Sequence, residues 1–325
     1  GAGSWGTTLA NLLAKKGFTT ALWVYEEELI GPLATNRENH LYLPGIELDE
    51  KIVPTGSFKE ACQNKDLLVN VTPSQVVRGI IQHIKDHLSP QSILVSASKG
   101  IENDTLLTMS EVIREALSLD EKSRIAVLSG PSFAREVSRE IPTAVTIASG
   151  NKEQAQQLQQ IFSTPYFRVY TNPDVIGVEI GGSLKNVIAL AAGISDGLRF
   201  GYNTRAALIT RGLAEISRLA LKMGASPLTL AGLSGLGDLV LTCTGELSRN
   251  RTVGMKLGQG VGLDQILKDM KTVAEGIKTT RSAYDLSKKL NVPMPITEQV
   301  YNILYQKKDP KEAVTQLMTR DLKVE

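Results

Sequence analysis

The sequence predicts an α/β chain, with a doubly wound, mostly parallel sheet over residues 1–182 and an all-α domain over residues 183–325. Three observations predict it. The chain opens on Gly1-Ala2-Gly3-Ser4-Trp5-Gly6 ahead of a helical pattern. Short apolar strands then alternate with helical segments, the pattern of a parallel sheet covered on both faces. Beyond residue 182 strand signals nearly vanish, and 183–195, 204–223, 226–232, 250–258, 263–270, 276–290, 295–306 and 310–318 read as helix.

The opening glycines match a dinucleotide fingerprint. Gly1, Gly3 and Gly6 suit a tight turn, close approach of backbone to a pyrophosphate, and packing of helix on strand. Leu9, Leu12 and Leu13 share one side of the helix that follows, which ends at Gly17 and would point its positive end at the phosphates. The strand expected before the glycines is missing because the chain starts at Gly1, so a preceding segment is expected. Thr19 to Tyr25 reads as the next strand. At its end stands Glu26, where a Rossmann-like fold puts the acid that holds a ribose 2′-hydroxyl. Glu27 and Glu28 read as the solvated first turn of a helix.

Residues 29–50, with Pro32 and Pro44, read as an irregular excursion without evident chemistry. Strands are expected at Leu67–Val71, Ser92–Ala97, Ile125–Ser129, Thr143–Ala148 and Phe167–Tyr170, with a helix over 151–162. In such sheets ligands bind beyond the carboxyl ends of the strands. Lys99 follows one such end, and the turn Gly130-Pro131-Ser132-Phe133-Ala134 follows another.

The helical half opens on Glu179-Ile180-Gly181-Gly182-Ser183-Leu184-Lys185-Asn186-Val187-Ile188, with Leu184, Val187, Ile188 and Ala191 on one side. A single charge, Lys185, sits on that apolar helix beside Asn186 and either snorkels to water or faces a cleft. Its place at the domain boundary favours the cleft. Leu233-Ser234-Gly235-Leu236-Gly237-Asp238 puts a carboxylate in a glycine-rich turn, as a site group or a helix cap. Ser248-Arg249-Asn250-Arg251 is either a phosphate anchor or a basic surface turn. His83 and His87 lack a zincin glutamate between them and read as a solvated face.

Composition narrows the classes. A length of 325 residues suggests two domains or one large one, and 42% hydrophobic with 22% charged residues is ordinary for a globular core. A formal charge of +2 is too small to argue for nucleic acid or a membrane surface. Cys62 and Cys243 form neither a disulfide framework nor a metal site. No apolar run approaches the length of a membrane span and no signal peptide opens the chain, so a cytoplasmic protein without integral membrane contact is expected.

Taken together, GAGSWGT (1–7), SASKGIE (96–102), GPSFA (130–134), GGSLKNVIALAAG (181–193), GLGDLVLTCTG (235–245), SRNR (248–251) and VAEG (273–276) resemble NAD(P)-dependent glycerol-3-phosphate dehydrogenase of the bacterial type. The resemblance covers essentially the whole chain. It implies interconversion of dihydroxyacetone phosphate and sn-glycerol 3-phosphate with NAD, or NADP, supplying glycerol 3-phosphate for phospholipid synthesis. It implies Lys185 as acid/base, Lys99 beside substrate and nicotinamide, and Asp238 as an orienting carboxylate. Gly130, Ser132, Asn186, Ser248, Arg249 and Asn250 would complete the substrate site. Gly1, Gly3, Ser4, Trp5, Gly6, Tyr25, Glu26, Lys99, Ala134, Arg249, Val273 and Glu275 would meet the cofactor. The two lysines are expected to lower each other's pKa. A homodimer is compatible with the family. Many bacterial relatives carry a basic residue where this chain has Tyr25-Glu26, which favours NAD over NADP. A 3-hydroxyacid or 6-phosphogluconate type of dehydrogenase, and a non-catalytic NAD(H)-sensing module, are the alternatives.

Overall fold

The computed structural model describes residues 1–119, 124–270, 274–322 and 324. The chain forms two compact units, Gly1–Lys99 with Met109–Val178, and Gly100–Thr108 with Glu179–Glu325.

The first unit alternates helix and strand: α1 (Ser4–Lys15), β1 (Thr20–Trp23), α2 (Glu27–Thr35), β2 (Ile52–Thr55), α3 (Phe58–Cys62), β3 (Leu67–Asn70), α4 (Val77–Ile84), β4 (Ile93–Ser96), α5 (Met109–Ala116), β5 (Ile125–Ser129), α6 (Ala134–Ser138), β6 (Thr143–Ala148), α7 (Lys152–Phe162) and β7 (Phe167–Asn172). Strands β3 to β7 form one sheet in sequence order, parallel except for β5 against β6. β1 and β2 pair separately and in parallel.

Alternation of side chains along the strands determines the layers. Ala126 and Leu128 of β5 join Leu9, Leu12 and Leu13 of α1 and Leu158 and Phe162 of α7 in one core. Val127, between them in sequence, packs with Ala148 and Val178 in another cluster. The sheet is therefore buried on both faces, as a near-continuous apolar run such as Ile125–Ser129 requires.

Two local departures from the sequence reading have physical causes. The prolines of 29–50 do not abolish helix, because α2 continues through Pro32 with Leu29 and Leu33 buried. β2 is not evident in the sequence because it contains Pro54, a residue that strands tolerate at an edge; among the described residues β2 pairs only with β1.

The second unit is helical: α8 (Val175–Gly197, its first turn belonging to the first unit), α9 (Tyr202–Lys222), α10 (Pro227–Ala231), a π-helical turn at Leu233–Gly237, α11 (Asp238–Thr244), α12 (Arg249–Gly258), α13 (Leu263–Asp269), α14 (Glu275–Lys289), α15 (Pro295–Tyr305) and α16 (Pro310–Met318). The residue pair Gly181-Gly182 does not open a helix but lies inside α8. At 23 residues, with an 18-residue window of mean hydropathy 1.5, α8 is long and apolar enough to cross a membrane, contrary to the sequence expectation. Its 18-residue window is 89% buried within the protein, which accounts for that hydropathy as a core helix.

One packing contact in this unit carries a pH dependence. Glu215 of α9 is 2% exposed and accepts hydrogen bonds from the Ile296 and Thr297 amides, 2.7 and 3.2 Å away, at the start of α15. Burial pushes its carboxyl up from 4.5 to about 7, while the two amides and the charge of Arg218 act the other way. The folded state then holds this proton more tightly than the unfolded one, so the contribution to stability is greatest below pH 4.5 and is lost as pH rises through about 7. Melting temperature should fall between pH 5 and 8 more steeply in the wild type than in Glu215→Gln. Parallel curves would show that Glu215 does not titrate in this range.

Candidate active site

In the first unit the glycine loop is built as the sequence suggests. Gly3 precedes α1 with no side-chain cap, which leaves the first-turn amides and the positive helix end to a ligand. A Cβ on Gly3 would meet nothing within 4 Å, whereas one on Gly6 would lie 1.9 Å from the Gly1 carbonyl oxygen. Ser4 and Trp5 form the first turn, and Trp5 tilts against Phe167 at 6.3 Å.

Tyr25 is exposed, and Glu26 precedes α2 at the end of the β1 segment. The Glu26 carboxylate accepts a 2.5 Å hydrogen bond from the Tyr42 hydroxyl, and that bond is the main cause holding the Tyr42 phenol up at about 12. The Ser4 hydroxyl donates to the Tyr42 carbonyl at 2.5 Å, so Tyr42 links glycine loop and acid. Buried Asn39 donates to the Ala2 carbonyl and the Thr7 hydroxyl, each at 2.8 Å. The excursion without evident chemistry therefore braces this loop.

Lys99 and Gly130 follow the adjacent parallel strands β4 and β5, and the Lys99 ammonium donates to the Gly130 carbonyl at 3.2 Å. The Ser132 hydroxyl donates to the same oxygen at 3.1 Å. Ala134 opens α6, and its carbonyl accepts from Thr8 of α1 at 3.3 Å.

In the second unit, Lys185 turns inward. It is 8% exposed, forms an ion pair with Asp238, itself 1% exposed, and donates to the Thr242 hydroxyl at 2.9 Å. Gly181 permits this meeting, since a Cβ there would stand 2.7 Å from the Ser234 carbonyl oxygen in the π-turn that delivers Asp238. Thr242 lies one turn beyond Asp238 on α11 and donates to the Asp238 carbonyl at 2.6 Å. The sequence reading misses it because 233–239 reads as a glycine-rich turn and is not continued into a helix; the four-residue spacing is the available signal.

Asn250 donates to the Asn186 side-chain oxygen at 2.9 Å, and both are buried. These two residues meet because α8 and α12 cross backbone on backbone. A Cβ on Gly193 or Gly197 would come within 2.0–2.2 Å of the Arg251 or Met255 carbonyl oxygen. A Cβ on Gly254 or Gly258 would come within 2.1–2.3 Å of the Leu190 or Ile194 carbonyl oxygen. Two glycines at four-residue spacing on each helix were visible in the sequence, but their pairing was not.

Ser248 caps α12, its hydroxyl accepting from the Arg251 amide at 3.2 Å. Arg249 is the first residue of α12 and is exposed. Surrounding protein lowers its basicity, opposed by the Glu275 carboxylate, and it makes no hydrogen bond or ion pair among the described residues. Glu275 opens α14, while Val273 lies outside the described residues. Among the described residues no group of three or more His, Cys, Asp or Glu could hold a metal ion.

The arrangement provides an uncapped helix start with a nearby acid in one unit. In the other it provides a buried ammonium held by carboxylate and hydroxyl, with an arginine at a helix start. The family models described as NAD-dependent glycerol-3-phosphate dehydrogenase N-terminus and C-terminus match residues 1–155 and 174–315. Proteins named glycerol-3-phosphate dehydrogenase (NAD(P)+) from Geobacter sulfurreducens and Geobacter metallireducens are each 61% identical over 325 residues, covering 100% of this chain and 97% of the relative. A crystal structure of glycerol-3-phosphate dehydrogenase from Coxiella burnetii superposes with a TM-score of 0.94 at 40% identity, covering 98% of this chain and 97% of that one.

Proposed function

The chain belongs to the NAD-dependent glycerol-3-phosphate dehydrogenase family, and from that premise we propose how its own residues carry the reaction. It is an oxidoreductase that interconverts dihydroxyacetone phosphate and sn-glycerol 3-phosphate with NAD(P)H. The observation that carries the assignment of roles is the buried Lys185, held by Asp238 and Thr242 within one helical unit.

The first unit suits a dinucleotide: α1 offers uncapped amides, Gly3 offers open space, and Glu26 is held in place by Tyr42. Gly1, Gly3, Ser4, Trp5 and Gly6 would line the pyrophosphate, with Tyr25, Ala134 and Glu275 as further contacts. When bound, the nicotinamide supplies or takes the hydride at the substrate's C2. Lys185 gives its proton to the C2 oxygen as negative charge develops there, and takes it back in the reverse direction. Asp238 and Thr242 fix the position of the ammonium through its other protons. Lys99 is a candidate source of further positive charge, and Gly130 and Ser132 are candidate substrate contacts. Arg249, Asn250, Asn186 and Ser248 hold the phosphate.

Consumption of NADH with dihydroxyacetone phosphate tests the activity, and turnover of hydroxyacids in its place would overturn it. We further propose a supply of glycerol 3-phosphate to phospholipid synthesis, a homodimer to be read from solution mass, and a cytoplasmic location. The location is supported by Cys62 and Cys243, both buried and free, which fit a reducing compartment.

Cofactor choice follows from Glu26. Its carboxylate accepts a hydrogen bond from a ribose 2′-hydroxyl and repels a 2′-phosphate. At an effective dielectric of about 20, two unit charges 4 Å apart interact by ~4 kcal/mol, an upper figure for a half-exposed group in salt. Even ~1.4 kcal/mol is tenfold. We expect kcat/KM to be higher with NADH than with NADPH, and Glu26→Arg to narrow or reverse the gap. A wild-type preference for NADPH would show that Glu26 faces away from the ribose.

A further inference from the structure

The asparagine pair beside Lys185 is oriented by a backbone amide, that of the glycine which closes VAEG (273–276). The Gly276 amide, in the second position of α14, donates to the Asn250 side-chain oxygen at 3.0 Å. An amide N–H can only donate, so the Asn250 atom facing it must be the oxygen, which turns the Asn250 nitrogen toward Asn186. That nitrogen donates at 2.9 Å, so the Asn186 atom it meets must in turn be oxygen. The Asn186 nitrogen makes no hydrogen bond among the described residues. Both side chains are nine-tenths buried, at 6% and 8% exposure.

The chain of bonds therefore runs one way. Each amide oxygen faces a donor of the protein, and the N–H groups left over belong to the nitrogens. A phosphate dianion presents acceptors alone, so it binds such a pair and would be repelled by the same pair turned over. We propose that Gly276 is a positioning residue for substrate phosphate: its amide starts a relay, Gly276 to Asn250 to Asn186, that sorts the pair into a surface of donors. The relay also explains why the residue is glycine. A Cβ there would stand 2.7 Å from the Asn186 carbonyl oxygen and 2.7 Å from the Asn250 side-chain oxygen, with Leu190 at 3.0 Å. Any side chain pushes on both asparagines at once.

The proposal rests on the reading of Arg249, Asn250 and Asn186 as the phosphate anchor. Its test compares the wild type with Gly276→Ala, using inorganic phosphate as inhibitor and two substrates, dihydroxyacetone phosphate and unphosphorylated dihydroxyacetone. In the variant, KM for dihydroxyacetone phosphate and the inhibition constant of inorganic phosphate should both rise roughly 10- to 100-fold, the scale of losing hydrogen bonds to a charged group. The kcat at saturation, KM for NADH and the slow turnover of dihydroxyacetone should stay within about threefold. Equal losses on both substrates, or an unchanged phosphate inhibition constant, overturn the relay and leave Gly276 a packing residue.

A parallel Arg249→Ala separates the two readings. If its KM is unchanged while that of Gly276→Ala rises, the Arg249 anchor falls and the relay stands. Should Gly276→Ala fail to fold, amide exchange in the wild type decides. Helix amides at the second position lack an intrahelical acceptor. The relay predicts that Gly276 exchanges at least tenfold slower than an unprotected amide and slows further with added inorganic phosphate. Exchange at the unprotected rate overturns it.

Discussion

Lys185→Ala is expected to lower kcat by about 10²- to 10⁴-fold per folded molecule, the range for loss of a general acid/base. Substrate KM should change far less, because the phosphate anchor is carried by other side chains. The same substitution removes one side of the buried ion pair with Asp238, itself 1% exposed. Breaking a buried pair by removing one partner costs on the order of 3–5 kcal/mol, so the variant should also melt earlier. Adding Asp238→Ala removes the other half of the pair and should recover part of the melting temperature without recovering turnover. That pattern separates chemistry from folding. Near-normal turnover in the single variant, or turnover regained in the double, would remove Lys185 from the proton-transfer role.

Arg249→Ala is expected to raise KM for dihydroxyacetone phosphate roughly 10- to 100-fold, with little effect on the slow reduction of unphosphorylated dihydroxyacetone. The side chain starts α12 and is exposed, with no ion pair among the described residues, so its donors are available to an anion. The Ser248 cap and the crossing of α8 on α12 hold its backbone in place. Arg249→Lys should recover only part of the loss, because an ammonium keeps the charge but not the two-pronged donor geometry. If both substrates lose equally, Arg249 serves structure or cofactor instead.

Some of the candidate site was legible because its signals are local. The glycine spacing at 1–6, the acid after the first expected strand, and a lone lysine on an apolar helix all lie within a few residues of their context. The partners of those residues were not legible. Tyr42, which holds Glu26, sits 16 residues away in a segment that looked irregular because of its prolines. Asp238, 53 residues from Lys185, was expected as an orienting carboxylate only through the family resemblance, and Thr242, 57 residues away, was not expected at all. Gly276 is 26 residues from the asparagine it orients.

Period and composition therefore determined by themselves that the chain alternates strand and helix and then becomes helical, since those preferences depend on neighbours two to four positions apart. The sequence also determined which residue types could do chemistry. Only the tertiary structure decided which of them meet. The continuation of α2 through Pro32, the pairing of β2 despite Pro54, and the passage of α8 through Gly181 all run against local preference. At Gly181 the missing side chain that reads as a helix entry is instead the space into which the Ser234–Gly235 backbone packs, bringing Asp238 to Lys185. Close packing of distant segments outweighs a propensity difference of about 1 kcal/mol per glycine, and that packing is not written in any window of neighbouring residues.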